Sequence, residues 1–341
     1  MAFKFKILSI DGGGIRGIIP AIILAEMEKR TGKRIFEMFD LIAGTSTGGI
    51  LSLGLTMPNP LAPDLAQYTA KDMVELYRKE GKRIFYEPLS ERYTKTDDLI
   101  RPKYSSEGRE EVLSAYLGET PLKNALKPVF ITSYDIEIRR PIFFVSDRSA
   151  EKIGEYFRKI SSGFKMKQAA MATSAAPSYF EPYHLATIQT DSSFYTLVDG
   201  GVFANNPTSL AIMEAIIAAR RTGEKLDLNE ILVVSMGTGS LTRKYSYDRA
   251  KNWGLIGWLE PIINIMMDGM SESVASQLEQ LLPYDPGYPK QYYRFQAPLN
   301  EANDDMDDGS QENIAKLVDI AQLIIAEQNS NLDRLCEELL R

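Results

Sequence analysis

Gly44-Thr45-Ser46-Thr47-Gly48 has the G-x-S-x-G spacing of a nucleophile elbow, and it lies between one apolar run at 39–43 and a second from Ile50 onward. A serine in that setting sits on a sharp turn from strand to helix that lifts its hydroxyl above the sheet, and Gly44 and Gly48 let the two backbones pass closely. The alternative is a Gly/Ser-rich turn without chemistry. A serine alcohol is a poor nucleophile until a base removes its proton. The chain has one histidine, His184, and none after Asp199, so the Ser, acid, His order of the α/β-hydrolases cannot be assembled. His184 lies in Pro182-Tyr183-His184-Leu185, as the base of a permuted triad or as a surface or packing residue. Among the carboxylates Asp199 is best placed to act as base, because it ends an apolar strand and is followed by Gly200 and Gly201, which let a serine approach.

Gly12-Gly13-Gly14-Ile15-Arg16-Gly17 satisfies G-x-G-x-x-G after a strand and before a helix, the setting of a dinucleotide-binding turn. That chemistry calls for an acidic residue closing the second strand, to hold a ribose. Here the second strand closes in Gly44-Thr45-Ser46, with Asp40 at its entry, and no cofactor is expected.

Placing these groups requires strands that end where the glycines begin. Alternation over 3–10 predicts a strand running into the first glycine cluster, and 18–30 has apolar residues at helical spacing, with Pro20 in its first turn and Gly32 near its end. Further strands are predicted at 39–43, 129–134, 142–146, 194–198 and 231–235, the last followed by Gly237 and Gly239. Helices are predicted from Ile50 to before Pro58, at 168–174 and at 209–220. Strand, glycine turn and helix in alternation imply an α/β fold, with a mostly parallel sheet covered on both faces and ligands bound at the strands' carboxyl ends. Residues 58–127, richer in charge and tyrosine, read as a helical insertion or cap, and 240–341 as an extension packed on the core of a single domain, 1–341. The acidic stretch 301–308 misses the calcium-loop pattern, since Met306 falls where a ligand is required. It reads as a solvated connector before a C-terminal helix from Gln311, and no metal site is expected.

Composition narrows the function classes. With 39 basic and 46 acidic residues the net charge is −7, and no basic block stands out, which argues against a nucleic acid polymer as partner. Hydrophobic residues make up 44% of the 341 and charged residues 25%, proportions of a folded chain rather than a disordered one. A single cysteine, Cys336, allows neither an intrachain disulfide nor a cysteine zinc site. The first ten residues form a short apolar segment broken by Lys4 and Lys6, unlike a signal sequence or a membrane span, so a cytoplasmic setting is expected.

Asp11-Gly12-Gly13-Gly14-Ile15-Arg16-Gly17, the Gly44 to Gly48 elbow and Asp199-Gly200-Gly201, in that order, resemble the three signatures of the patatin-like phospholipases. Ala175-Ala176-Pro177-Ser178-Tyr179-Phe180 and Ser235-Met236-Gly237-Thr238-Gly239 extend the resemblance, which spans about residues 6–239. It implies a three-layer α/β/α lipid acyl hydrolase with a Ser-Asp dyad and no metal or cofactor, acting on phospholipids or galactolipids. By that resemblance Ser46 attacks the ester carbonyl and Asp199 accepts its proton. The N–H groups of Gly12, Gly13 and Gly14, with that of Thr47, stabilise the oxyanion, and Arg16, Gly17, Gly44, Gly48, Gly200 and Gly201 support the loops. Desolvation in a lipid-filled cleft is expected to raise the aspartate's pKa. The family also includes storage proteins and effectors switched on by a signal nucleotide, so a small-molecule activator, or a non-catalytic storage or nucleotide-binding role on the same fold, is the alternative.

A nearly uncharged stretch, 253–259 and 262–267, holds both tryptophans, Trp253 and Trp258, together with Met266 and Met267. It reads either as a buried helix packed on the sheet or as an interfacial segment touching lipid near the site. Glu260 and Pro261 interrupt it, so it does not span a bilayer. Without a polybasic patch, membrane contact would be peripheral, reversible and driven by apolar burial.

Overall fold

A computed structural model describes residues 3–85, 102–187, 190, 193–284 and 286–341. The start of the N-terminal segment and residues 86–101 of the expected insertion lie outside the described residues.

The predicted alternation is present. β1 (Phe5–Ile10) runs into the first glycine cluster, and α1 (Ile18–Thr31) follows it, ending where Gly32 at φ 67° donates its N–H to the Glu28 carbonyl. The short α2 (Ile35–Met38) leads to β2 (Leu41–Gly44), and α3 (Thr47–Thr56) starts directly after Ser46. All ten residues of α3 are buried, which explains why its sequence lacks a polar face. A hairpin, β3 (Pro58–Asn59) and β4 (Ala62–Ala66), precedes α4 (Ala70–Ile84) and α5 (Ser106–Leu117). α4 buries Met73, Val74, Leu76 and Tyr77 in the same apolar cluster as α1, so this part of residues 58–127 belongs to a core layer.

β5 (Val129–Asp135) and β6 (Arg140–Val145) form a hairpin extended by β7 (Lys152–Ile153) and β8 (Arg158–Ile160). Then come α6 (Met166–Thr173), β9 (Tyr183–Ala186), β10 (Phe194–Asp199), α7 (Gly201–Ala204), α8 (Thr208–Arg221) and β11 (Ile231–Met236). The final part holds α9 (Tyr247–Ala250), the long α10 (Leu255–Leu281), β12 (Tyr292–Phe295), α11 (Gln311–Glu327) and α12 (Asn329–Leu340). β12 has no counterpart in the sequence reading, because its four residues, Tyr-Tyr-Arg-Phe, are too short to show a period.

The central sheet has the order β12-β11-β1-β2-β5, all parallel, and continues through antiparallel β6 to β8 and β7. Alternate strand residues serve opposite faces. Leu8, Ile10, Leu232 and Val234 pack under α1, α4, α11 and α12, whereas Ile7, Val233, Leu41 and Phe130 pack under α8 and the C-terminal half of α10. The architecture is therefore a three-layer α/β/α sandwich.

One register places the site. β6 covers β5 from Phe130 to Asp135 along one edge, so both other partners of β5 must share the opposite edge. There β2 pairs with residues 129–131 in parallel and β10 with residues 133–135 antiparallel. The two strands point at each other head-on, and their carboxyl ends, Gly44 and Asp199, meet beside Ile131 and Ser133.

Candidate active site

Ser46 is the residue that turns β2 into α3. Its φ of 54° and ψ of −122° lie where a side chain is strained, at a cost of about 1–3 kcal/mol that the surrounding packing must offset. The elbow glycines explain how the packing does so: a Cβ on Gly48 would collide with the Ile10 carbonyl, and one on Gly44 with the backbone of Gly48 and Gly49. The Ser46 N–H donates to Thr173 Oγ1 at 2.8 Å. Thr45 is fixed by its hydroxyl, 2.7 Å from that of Thr132 and donating to the Ala204 carbonyl at 2.6 Å. Ser46 is 7% exposed.

Asp199 reaches the same point from the other strand. Its N–H donates to the Ala175 carbonyl at 2.9 Å, and its Oδ1 accepts the Gly201 N–H at 2.7 Å. Burial raises its pKa to about 6 against the lowering effect of the Ser46 hydroxyl, the Gly201 amide and the charge of Arg109. Oδ2 is buried, and the Ser46 hydroxyl is the side-chain hydroxyl that acts on the carboxylate. A desolvated aspartate beside a serine hydroxyl can accept its proton near neutral pH.

The glycine loop after β1 closes the third side. Gly12 departs from the expected role, since its N–H donates to the Asn205 carbonyl at 3.0 Å and is not available to an oxyanion. Gly13 and Gly14 have no such bond among the described residues, and the Thr47 N–H opens α3, where the first amides lack intrahelical acceptors. Gly14 needs φ 59°, and a Cβ there would strike the Met306 carbonyl. Arg16 is buried, donates through Nε to the Gly13 carbonyl at 3.1 Å and so braces the loop from within. Asp11 anchors the loop's start through a 2.6 Å ion pair with Arg294 of β12. Cβ atoms on Gly17, Gly200 and Gly201 would press on Thr47 and Tyr77, on Thr132, and on Met267 and Asp199, so these glycines permit the close packing expected of them.

Several contributors carried no sequence signal. Arg109 of α5 is buried, donates through Nη1 to the Ser174 carbonyl, lies 4.2 Å from the Phe180 ring centroid and feels Asp199 electrostatically; burial lowers its pKa to about 10, which leaves it charged at neutral pH. Tyr77 of α4 hydrogen-bonds the Thr47 hydroxyl, and burial holds its own pKa far above the ordinary tyrosine value. Met306 belongs to the acidic stretch read as a solvated connector. Instead, its carbonyl accepts the Ile15 N–H at 2.9 Å, and Asp304 is buried, accepting from the Thr242 and Arg243 amides. At the end of the helix expected over 168–174, Thr173, Ser174 and Ala175 hold Ser46, Arg109 and Asp199 in turn, a role that neither helical spacing nor the family similarity at 175–180 indicates.

Two apolar hollows adjoin the junction. One borders Ser46 and is lined by Ile50, Tyr77, Ile84, Phe85, Tyr179 and Phe180. The other borders Asp199 and is lined by Pro177, Val202, Ile263, Met266 and Met267. His184 is elsewhere, exposed on β9 and stacked on Phe194 at 4.0 Å between ring centroids. Of the four residues expected to touch lipid, Trp258 and Met266 are exposed and Trp253 is half-buried, whereas Met267 is turned inward toward Gly201. Among the described residues no group of three or more His, Cys, Asp or Glu side chains could hold a metal ion, and no helix is long and apolar enough to cross a membrane.

The chain is similar to known proteins over most of its length. A family profile described as patatin-like phospholipase matches residues 8–212. "Probable inactive patatin-3-Kuras 1" of Solanum tuberosum is 35% identical over 273 residues, 75% of this chain and 69% of that one. "Patatin-04/09" of the same plant is 32% identical over 341 residues, covering 94% of this chain and 83% of the relative. Among solved structures, human GIVD cytosolic phospholipase A2 aligns at a TM-score of 0.48 and 11% identity, over 98% of this chain and 60% of that one. The chain belongs to the patatin-like phospholipase family, a membership that supports lipid acyl hydrolase activity in general.

Proposed function

We propose that this chain hydrolyses fatty-acyl esters of phospholipids or galactolipids through an acyl-serine on Ser46, with Asp199 as general base and no metal or cofactor. The observation that carries the reading is the head-on meeting of β2 and β10, which brings a serine held at φ 54° to an aspartate whose pKa is raised to about 6. Ser46 Oγ attacks the ester carbonyl while its proton passes to Asp199. The carbonyl oxygen becomes an oxyanion held by the amides of Gly13, Gly14 and Thr47, each donor worth about 3–4 kcal/mol in such sites. Collapse breaks the bond to the alcohol oxygen, which takes the proton from Asp199 and leaves. Water then gives its proton to Asp199 and attacks the acyl-serine, and the fatty acid departs as Ser46 is reprotonated.

Peripheral contact with a lipid surface belongs to the same reading. The N-terminal half of α10 exposes Leu255, Ile256, Trp258, Ile262, Ile265 and Met266, while Met266 also lines the hollow beside Asp199. An apolar face continuous with the site can rest on a bilayer and receive an ester directly from it.

The test is replacement of the nucleophile. Ser46→Ala removes one oxygen and is expected to abolish release of fatty acid from mixed lipid vesicles, read by mass spectrometry, and labelling by a fluorophosphonate probe. Wild-type hydrolysis by this variant would end the assignment. A wild-type protein that neither hydrolyses esters nor labels would instead place the chain with the relative whose name calls it inactive.

A further inference from the structure

The two hollows do not share their polar residues. The first includes Ser46, Thr47 and Gly14 but not Asp199, and the second includes Asp199 and Gly201 but not Ser46. Their linings have Ala176 and Met306 in common, so the two hollows adjoin there. We propose that the hollow beside Asp199 is an apolar subsite for the alcohol portion of the ester, and that this enzyme therefore favours two-chain lipids over single-chain lysolipids. The inference rests on the hydrolase reading above and adds a substrate class to it.

Proton bookkeeping assigns the sides. The leaving alkoxide must collect its proton from Asp199, so the alcohol portion of the substrate lies on the Asp199 side of the reacting carbon. The acyl group, bonded to the carbon attacked by Ser46, then points the other way, into the hollow of Ile50, Tyr77, Ile84, Phe85 and Phe180. For a lysolipid the alcohol portion is a polar glycerol and head group, which gains nothing from Pro177, Val202, Ile263 and Met267. A second acyl chain on the glycerol buries itself there, and even one methylene in an apolar pocket changes discrimination about tenfold or more. Met306, which lines both hollows, is held in place because its carbonyl accepts the Ile15 N–H.

Dihexanoyl-phosphatidylcholine and hexanoyl-lysophosphatidylcholine, both below their critical micelle concentrations, remove surface binding from the comparison. Wild type is expected to hydrolyse the two-chain substrate with a kcat/KM more than about tenfold higher. In Val202→Gln and Ile263→Gln, each checked for an unchanged melting temperature, the two-chain rate should fall while the lysolipid rate holds, bringing the ratio toward one. Phe85→Gln, in the acyl hollow, should lower both rates by a similar factor. Equal rates or a lysolipid preference in wild type would overturn the subsite, as would a ratio that survives both variants. Hydrolysis of p-nitrophenyl butyrate separates the two levels: activity there with no two-chain preference refutes only the subsite, and absence of activity on every ester refutes the hydrolase reading and the subsite with it.

Discussion

Asp199 sets the pH behaviour that the proposed chemistry must show. Its carboxyl has to be ionised to accept a proton, so kcat/KM on a soluble ester is expected to rise with pH through about 6 and then level. The same shift has a stability cost. An acid whose pKa is higher in the folded state than in the unfolded chain contributes stability below the unfolded value, lost as pH rises from near 3.8 through about 6. Asp199→Asn keeps the shape without the buried charge, so it should unfold at least as late as wild type at pH 7 while losing activity by about 10²–10⁴-fold. Arg109 opposes the burial through its charge. Arg109→Met is therefore expected to move the acid limb of the pH profile upward, whereas Arg109→Lys, which keeps the charge but loses the fork to Ser174, should lower the rate with little movement of the limb. A limb that stays in place in Arg109→Met would reduce Arg109 to a packing role. His184→Ala should cost less than about tenfold in rate, because the ring stacks on Phe194 at the surface. A dead His184→Ala with a mildly impaired Asp199→Asn would revive the permuted triad.

Strand ends, more than any single helix, hold the site's elements in register. β2 and β10 abut along one edge of β5, and β1 delivers the glycine loop beside them, so three strand termini converge on one point. β12 contributes at a distance: Arg294 bonds the Ser235 hydroxyl at 2.9 Å and pairs with Asp11 at the root of the loop. Breaking such a buried pair from one side leaves an uncompensated charge, a loss of about 3–5 kcal/mol. Arg294→Met is expected to lower the melting temperature markedly at pH 7, and Arg294→Met combined with Asp11→Asn should recover part of it. Equal losses in the single and the double variant would show that the pair does not act as a pair. Residues 301–308 fix the other side of the loop through the Met306 carbonyl, which a composition-based reading could not detect because backbone acceptors carry no residue signature.

At the scale of the molecule the two faces of the sheet differ in use. One is closed by α1, α4, α11 and α12, and the other carries α8 and the long α10, whose C-terminal half packs Ala275 and Leu278 while its N-terminal half leaves Leu255 91% exposed. The proposed contact with lipid would rest on this exposed apolar surface. Leu255→Glu with Ile256→Glu should therefore weaken sedimentation with neutral vesicles and slow vesicle hydrolysis, leaving p-nitrophenyl butyrate turnover unchanged. A parallel loss on the soluble ester would mean that the substitutions disturb the site and not the surface.

The sequence by itself determined the α/β alternation, because strands buried on both faces read as unbroken apolar runs and glycines mark where they stop. It also singled out the serine and the aspartate of the proposed pair, since the elbow spacing and the absence of a second histidine leave few candidates. Those signals are local, within a few residues of each group. Tertiary structure alone decided that β2 and β10 meet head-on, that the Gly12 amide is spent on Asn205, that Arg109 lies in the hollow beside Ser46, and that the acidic loop is part of the site's wall. Each of these depends on contacts between residues far apart in the chain, such as Gly12 with Asn205 and Ile15 with Met306, and such pairings leave no period or spacing in the sequence for a reader to find.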